Sequence, residues 1–443
     1  MGKIKIICIV ENSISHLNPI FNLLIQLKKR GNNIDSYFLS HATFQDIIEE
    51  KGFDFIESHS VSFGLENHEI YCQNYVDKLL YCLNENNFEK RKNDLFHHIC
   101  KIMPQYVFVD SMLWGDQIIL ESIRCEKFDF KIKNIKTIFD THFSTYNLPI
   151  HSRYVPQNFE LGVRIIIYLI WLRYWIVKIF RNTLYQCKFL GFTEFSKLKT
   201  QLKKINKSRK SNLSINSWDS SCPSLTHVEN LILLPKSLEF SNESGNRNKH
   251  LGYFESNLVD LIDDDIIPED FQLYQKVILI SQGSLQGTLN KDLSGFYLKF
   301  LELVKIFPNY YFIGSFDRVF LDSYNIESLD NLYVRPYLPQ KSLLSKVDLF
   351  ISHGGANSIL ESIMAECPLL ITLNNHIFDQ NGNAARIKFH GCGEFVDFNQ
   401  PLENWVNKIN QIFQNIDYYK MKIKQVKEKI LNEEYELERL IFS

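Results

Sequence analysis

A chain of 443 residues with 45% hydrophobic content is long enough for two domains of about 200 residues, each with its own buried core. Its formal net charge of -2 excludes a protein that binds nucleic acid over a broad basic surface. Nine cysteines, scattered and without Cys-x-x-Cys spacing, suit reduced thiols in a cytoplasm better than a disulfide framework.

Lys3–Val10 is an apolar run of β type rather than the charged start of a leader, so no signal peptide is expected. It leads through Glu11–Ser15 into His16-Leu17-Asn18-Pro19. Pro19 is read as the first residue of a helix with Ile20, Leu23, Leu24 and Leu27 on its inner side, ending at Gly31. Strands are predicted at Ile34–Leu39, Gly52–Glu57 and Tyr106–Asp110, and their alternation with helices indicates a doubly wound parallel sheet. Such sheets bind ligands at the C-terminal ends of their strands, where His16 and Asp110 fall. An imidazole there can accept a proton near neutral pH, and a carboxylate behind it fixes the tautomer and stabilises the imidazolium. The competing readings are a surface histidine in a loop and an aspartate capping a helix near Trp114.

Leu161–Phe180 is long enough to span a bilayer, but Arg164, Arg173 and Lys178 interrupt it, and a central Arg is costly in hydrocarbon. The spacing favours a buried helix lining a ligand cleft. An interfacial helix is the alternative, supported by the lysines that follow at Lys197, Lys199, Lys203, Lys204 and Lys207; with them the stretch 161–210 suits peripheral contact with an anionic membrane. A solvated charged loop accounts equally well for the lysines alone. Asn206–Ser224 is rich in Ser and Asn and reads as a loop. Asp263-Asp264-Asp265, before Pro268, is read as a solvated linker run rather than a metal site.

In the second half, Lys276–Ser281 is a strand followed by the turn Gln282-Gly283-Ser284, and Tyr310–Gly314, Leu332–Val334 and Leu369–Thr372 continue a sheet. The most informative stretch is Val347–Arg386. Val347–Ser352 reads as a strand, His353-Gly354-Gly355 as a tight turn, and Ala356–Ala365 as a helix with Ile359, Leu360, Ile363 and Met364 on one face. Adjacent glycines leave no Cβ in front of the first helical N–H groups. Those groups lack intrahelical partners and sit at the positive end of the helix dipole, so a phosphate suits them. Asn357 and Ser358 add side-chain donors, and Glu361 is placed to accept from a sugar hydroxyl. Leu402–Leu440 reads as helical and strongly charged.

HGGANSILES followed by DQNGNAARI resembles the donor-binding signature of the UDP-dependent glycosyltransferases, the family that includes macrolide, plant secondary-metabolite and carotenoid glucosyltransferases. The resemblance implies an α/β protein of GT-B fold, two Rossmann-like domains facing each other across a cleft. Residues 1–255 would bind the acceptor and 256–443 the nucleotide sugar, with the last helix returning to the first domain. It implies that His353, Gly355, Asn357 and Ser358 hold the diphosphate, Glu361 the ribose, and Asp379 and Gln380 the transferred sugar. Ser284 would face the diphosphate from the other turn. Tyr337 and Gln340 stand where the family shows Trp-x-Pro-Gln, with Tyr337 in place of the tryptophan that stacks on uracil. His16 would be the general base and Asp110 its partner. The implied activity is inverting transfer of a hexose, glucose foremost, from a UDP-sugar to a hydroxyl of a lipophilic acceptor. The UDP-sugar is a co-substrate, and neither cofactor nor metal is expected. A UDP-sugar epimerase or hydrolase on the same fold, or a non-catalytic nucleotide-sugar binding protein, are the alternatives. The expected setting is cytoplasmic, with peripheral contact on the inner membrane face if 161–210 is interfacial.

Overall fold

The structure, a computed structural model, describes residues 3–60, 62, 86–124, 129–137, 161–188, 193–216, 223–240, 248–254, 274–283, 294–323, 329–373 and 379–442. Nine strands lie in the first half: β1 (Ile4–Ile9), β2 (Ile34–Ser40), β3 (Asp54–Glu57), β4 (Tyr106–Asp110), β5 (Lys131–Lys136), the short pair β6 (Ile215–Asn216) and β7 (Ser224–Leu225), β8 (Glu229–Ile232) and β9 (Asn248–His250). All but β6 and β7 form one parallel sheet in the order β3-β2-β1-β4-β5-β8-β9. The second half holds β10 (Lys276–Ser281), β11 (Tyr310–Ser315), β12 (Leu332–Arg335), β13 (Leu349–Ser352), β14 (Leu369–Leu373) and β15 (Gly393–Asp397). They too are parallel, in the order β12-β11-β10-β13-β14-β15. Each sheet therefore starts in its middle, winds to one edge, then returns to fill the other side. The direction of winding reverses between β1 and β4 in one sheet and between β10 and β13 in the other, and at such a reversal the strand ends open a crevice. The architecture is the GT-B pair of Rossmann-like sheets.

The central strands β4, β10 and β13 are covered on both faces, which is why they are mostly apolar rather than alternating. In β4, Phe108 packs with Ile6, Cys8, Phe38 and the helix Ile14–Lys29 on one face. Its neighbours Val107 and Val109 point to the other, among Ile7, Ile9, Ile118 and Ile119. The chain's last helix, Leu437–Phe442, belongs to the first of these layers: Leu437 and Ile441 are buried in it, and the Tyr106 hydroxyl donates to the Phe442 carbonyl at 2.9 Å. Just before it, Tyr435 packs so closely on Gly252 that a Cβ there would stand 2.2 Å from the ring. The Glu433 carboxylate accepts from the backbone N–H of Lys236 at 3.2 Å and from that of Ser237.

Several expectations need correction. The first helix begins at Ile14, five residues before Pro19, so the proline lies inside it. Leu402–Leu440 is three helices, Leu402–Gln414, Ile416–Leu431 and Leu437–Phe442, rather than one. The stretch of lysines lies on a regular helix, Glu194–Arg209, whose Thr193 side chain caps the first turn by accepting from Ser196 N–H. Leu161–Lys188 is a helix of 28 residues, and the buried reading fails: among its described side chains Leu161 is 72% and Phe180 64% exposed. Among the described residues no helix is long and apolar enough to cross a membrane. Asp263–Asp265 and the division at 255/256 lie outside the described residues.

Candidate functional site

Pro19 explains the local shape of the first half's site. Lacking an N–H, it cannot donate to the carbonyl of Ser15 four residues back, a defect that costs about 3 kcal/mol in an ordinary helix. The freed Ser15 carbonyl instead accepts from the Asn357 side-chain amide of the second half at 2.9 Å. His16, in the same turn, therefore sits against the start of the helix Ala356–Met364.

The His16 ring lies with Nδ1 2.7 Å from Asp110 Oδ2 and 3.1 Å from Thr137 Oγ1. A carboxylate only accepts, so Nδ1 carries the proton and Nε2 is left as the basic atom. Asp110 is fully buried, and its other oxygen accepts from Met112 N–H at 2.9 Å. It thus caps the turn that follows β4 and holds the imidazole at once. Burial disfavours the imidazolium, but the Asp110 charge and hydrogen bond, with smaller contributions from Glu11 and Asp379, outweigh it, and the His16 pKa is raised. Glu11, at the end of β1, is itself pushed above the usual carboxylate range by burial and by the Asp110 charge.

In the second half, two turns of one design stand side by side. Ser281 ends β10 and Ser352 ends β13, and they are register partners. Each hydroxyl accepts the N–H two residues on: Gly283 N to Ser281 Oγ, and Gly354 N to Ser352 Oγ, both at 3.2 Å. Gly283 and Gly354 have φ of +76° and +84°, which favours glycine. Between the turns lies the His353 ring. A Cβ on Gly283 would stand 2.3 Å from its Cε1, and one on Gly355 2.6 Å from its Nε2. The ring is clasped by two missing side chains. Burial lowers the His353 pKa to about 4, so it is neutral, and its buried Nδ1 has no hydrogen-bond partner among the described residues. The helix Ala356–Met364 starts at Gly355 with no side chain capping it, which leaves its positive end for an anion.

The remaining predicted residues gather around this helix with some exchanges of partner. Asn357 turns its amide to Ser15, whereas Ser358 Oγ accepts from Gln340 Nε2 at 3.4 Å and keeps its own O–H as a donor. Gln340 also donates to Glu361 Oε2 at 2.6 Å, orienting the carboxylate. Tyr337 is 74% exposed. Asp379 and Gln380 are buried; Asp379 Oδ2 accepts from Asn383 at 2.8 Å, and the same amide donates to the Gly354 carbonyl at 2.9 Å. Burial raises the Asp379 pKa against the pull of Asn383 and Arg386. Gln380 Oε1 is buried and unpartnered among the described residues. Ser284 lies outside the described residues. Further out, Arg386, 1% exposed, donates to Glu239 Oε2 of the first half at 2.8 Å.

Sequence reasoning missed three residues, Glu11, Thr137 and Asn383, and also the pairing of Gly283 with Gly355. The last had a visible signal, since Ser-x-Gly closes both strands. Thr137 had none, being brought to His16 by a parallel pairing 121 residues away in sequence. Among the described residues no group of three or more His, Cys, Asp or Glu is arranged to hold a metal ion.

Residues 313–437 match the family model for the glycosyltransferase family 28 C-terminal domain. A protein of Caenorhabditis elegans named a UDP-glucuronosyltransferase, ugt-46, is 35% identical over 120 residues, 26% of this chain and 22% of its own length. YojK of Bacillus subtilis, named a UDP-glucosyltransferase, is 27% identical over 152 residues, 34% of this chain and 36% of its own length. The matched segments thus span well under half of these relatives. The fold likeness reaches further. The solved glycotransferase of kitacinnamycin superposes with a TM-score of 0.69 at 15% identity, covering 97% of this chain and 95% of its own. Part of the second half is thus similar in sequence to UDP-dependent glycosyltransferases, and over nearly its whole length the chain has the GT-B fold of solved glycosyltransferases.

Proposed function

We propose that the protein transfers a hexosyl group, glucose foremost, from a UDP-sugar to a hydroxyl of a lipophilic acceptor, with inversion at the anomeric carbon. His16 Nε2 takes the acceptor proton as the oxygen attacks C1 of the sugar, and UDP departs from the opposite face. Asp110 holds the tautomer and offsets the charge that develops on the ring, a device that contributes about 10² to 10⁴ in rate. The departing diphosphate is received by the start of the helix Ala356–Met364 and by His353, whose neutral ring donates one N–H and would gain a proton more readily beside the phosphate charge. One well-aimed donor in such a role is worth roughly 3 to 4 kcal/mol. Asp379 and Gln380 receive the sugar hydroxyls, and the unpartnered Gln380 Oε1 supports that role.

The observation that carries this reading is the contact between the halves. The Asn357 amide on the Ser15 carbonyl sets a carboxylate-backed imidazole against an uncapped helix start. A base opposite a diphosphate is what an acceptor-activating transferase needs and what a hydrolase or a binding protein has little use for. The test incubates the chain with UDP-glucose and a panel of hydroxylated aromatics, macrolides and lipids, following free UDP, product and anomeric configuration by NMR. A glycoside of inverted configuration is expected. UDP release without product would instead indicate hydrolysis, and UDP binding without release would indicate a binding protein. His16→Ala should abolish transfer with UDP affinity intact; near-normal turnover in that variant removes the assignment.

A further inference from the structure

The helix Leu161–Lys188 has no part in the reaction above, yet among the described residues it carries more than half of the exposed large apolar side chains. At 3.6 residues per turn, Leu161, Leu169, Leu172, Ile176, Val177 and Phe180 spread over about half of the helix circumference, and each is more than half exposed. Soluble monomers rarely leave a contiguous apolar patch larger than a few hundred Å² uncovered, and these six side chains share one side of the helix, with the exposed Arg173 among them. Charge decides what covers them. Residues 161–188 contain five basic residues and no acidic one, and 161–210 contains twelve Lys and Arg against a single acidic residue, Glu194, in a chain whose net charge is -2. The basic helix Glu194–Arg209 is joined to the apolar one through Gln186, which donates to Thr193 Oγ1 at 2.8 Å and accepts from Ser196 Oγ at 2.9 Å. On it Lys199, Lys203, Lys204 and Lys207 are exposed, as is Lys210 just beyond. A second copy of this face would bring like charge against like charge. A surface of phosphate headgroups over hydrocarbon matches both properties, because an amphipathic helix in the interface buries its apolar face about 5 to 10 Å deep while lysines meet the headgroups.

We propose that Leu161–Lys188 and the basic helix after it form a docking surface for an anionic lipid bilayer, with the apolar helix lying in the membrane plane. Docking needs neither donor nor acceptor, so it stands or falls apart from the transfer reaction.

The test is flotation of the full chain with vesicles of phosphatidylcholine alone or mixed with phosphatidylglycerol, at low and at high salt. The chain should float with the mixed vesicles at low salt and be released by high salt. Leu172→Asp combined with Ile176→Asp should weaken partitioning by about 10-fold or more. Lys203→Gln with Lys204→Gln and Lys207→Gln should reduce binding to mixed vesicles on the order of 10- to 100-fold. Unchanged circular dichroism and UDP affinity in both sets show that the fold is kept. A wild-type chain that stays at the bottom of the gradient with both vesicles at low salt overturns the proposal, as does a double aspartate variant that floats like wild type. So does light scattering that finds a dimer which the aspartates dissociate while nothing floats, for then the face joins two copies.

Discussion

The two halves of the molecule repeat one strand order and put their chemistry at the same point in it, but they furnish that point in opposite ways. At the reversal between β1 and β4 the strand ends present His16 and Asp110, held by side-chain hydrogen bonds at 2.7 and 2.9 Å. At the reversal between β10 and β13 they present glycines, and the one ring there is clasped where Cβ atoms would be. The two histidines show the result. His16, beside a carboxylate, has its pKa raised in spite of burial; His353, buried with no charged group among the causes of its shift, falls to about 4. A proton acceptor needs a charged neighbour to tune it, whereas an anion cradle needs side chains removed so that backbone can approach. In the proposed reaction one scaffold would serve both tasks by what it adds in one half and omits in the other.

The largest effect that would break this contrast is expected at the dyad. Asp110→Asn should lower kcat/KM by roughly 10² to 10⁴ with little change in UDP affinity. A base acts unprotonated, so wild-type activity falls as pH drops through the raised His16 pKa, and its acid limb should lie above the ordinary value of about 6.5. Without the carboxylate that limb should move to lower pH; a pH profile of Asp110→Asn that overlays wild type would remove the dyad. Next come the glycines. Gly355→Ala or Gly283→Ala forces the His353 ring aside and should cost about 10² in turnover, with weaker UDP binding by calorimetry and the acid limb unmoved. If either variant shifts the limb instead, the two halves do not divide the work. Asn357→Ala removes one hydrogen bond between the halves and should cost up to about 10-fold, mainly in the KM for donor. The smallest effect belongs to Thr137→Val, a loss of a few-fold at most, about 1 kcal/mol, with a slight displacement of the acid limb. An effect as large as that of Asp110→Asn would make Thr137 the principal partner.

Legibility in the sequence followed the range of the interactions. Strands β1 to β4 and β10 to β14 and the turn-helix at His353–Met364 were visible because they rest on local apolar runs and adjacent glycines. His16 and Asp110 were visible because each ends a strand. What escaped depends on distant pairings: Thr137 reaches His16 only through β4 and β5, and Asn383 reaches Gly354 only once the helix Gln380–His390 packs against the turn. The bond from Asn357 to Ser15 also escaped, because nothing near Asn357 in sequence reveals that Pro19 leaves a carbonyl open. The helix Leu161–Lys188 was misread as buried because apolar composition reports that a surface wants cover, not what supplies it.

The docking of Leu437–Phe442 among Phe38, Phe108 and Leu24 bears on how the protein is made. The layer begun by β1 and the helix Ile14–Lys29 is closed by a helix far along the chain, so the first half cannot complete its core during synthesis until Leu437–Phe442 has been made. Until then an apolar groove stays open. A nascent chain arrested before Leu437 should accordingly be cut by protease within its first half far faster than the released protein.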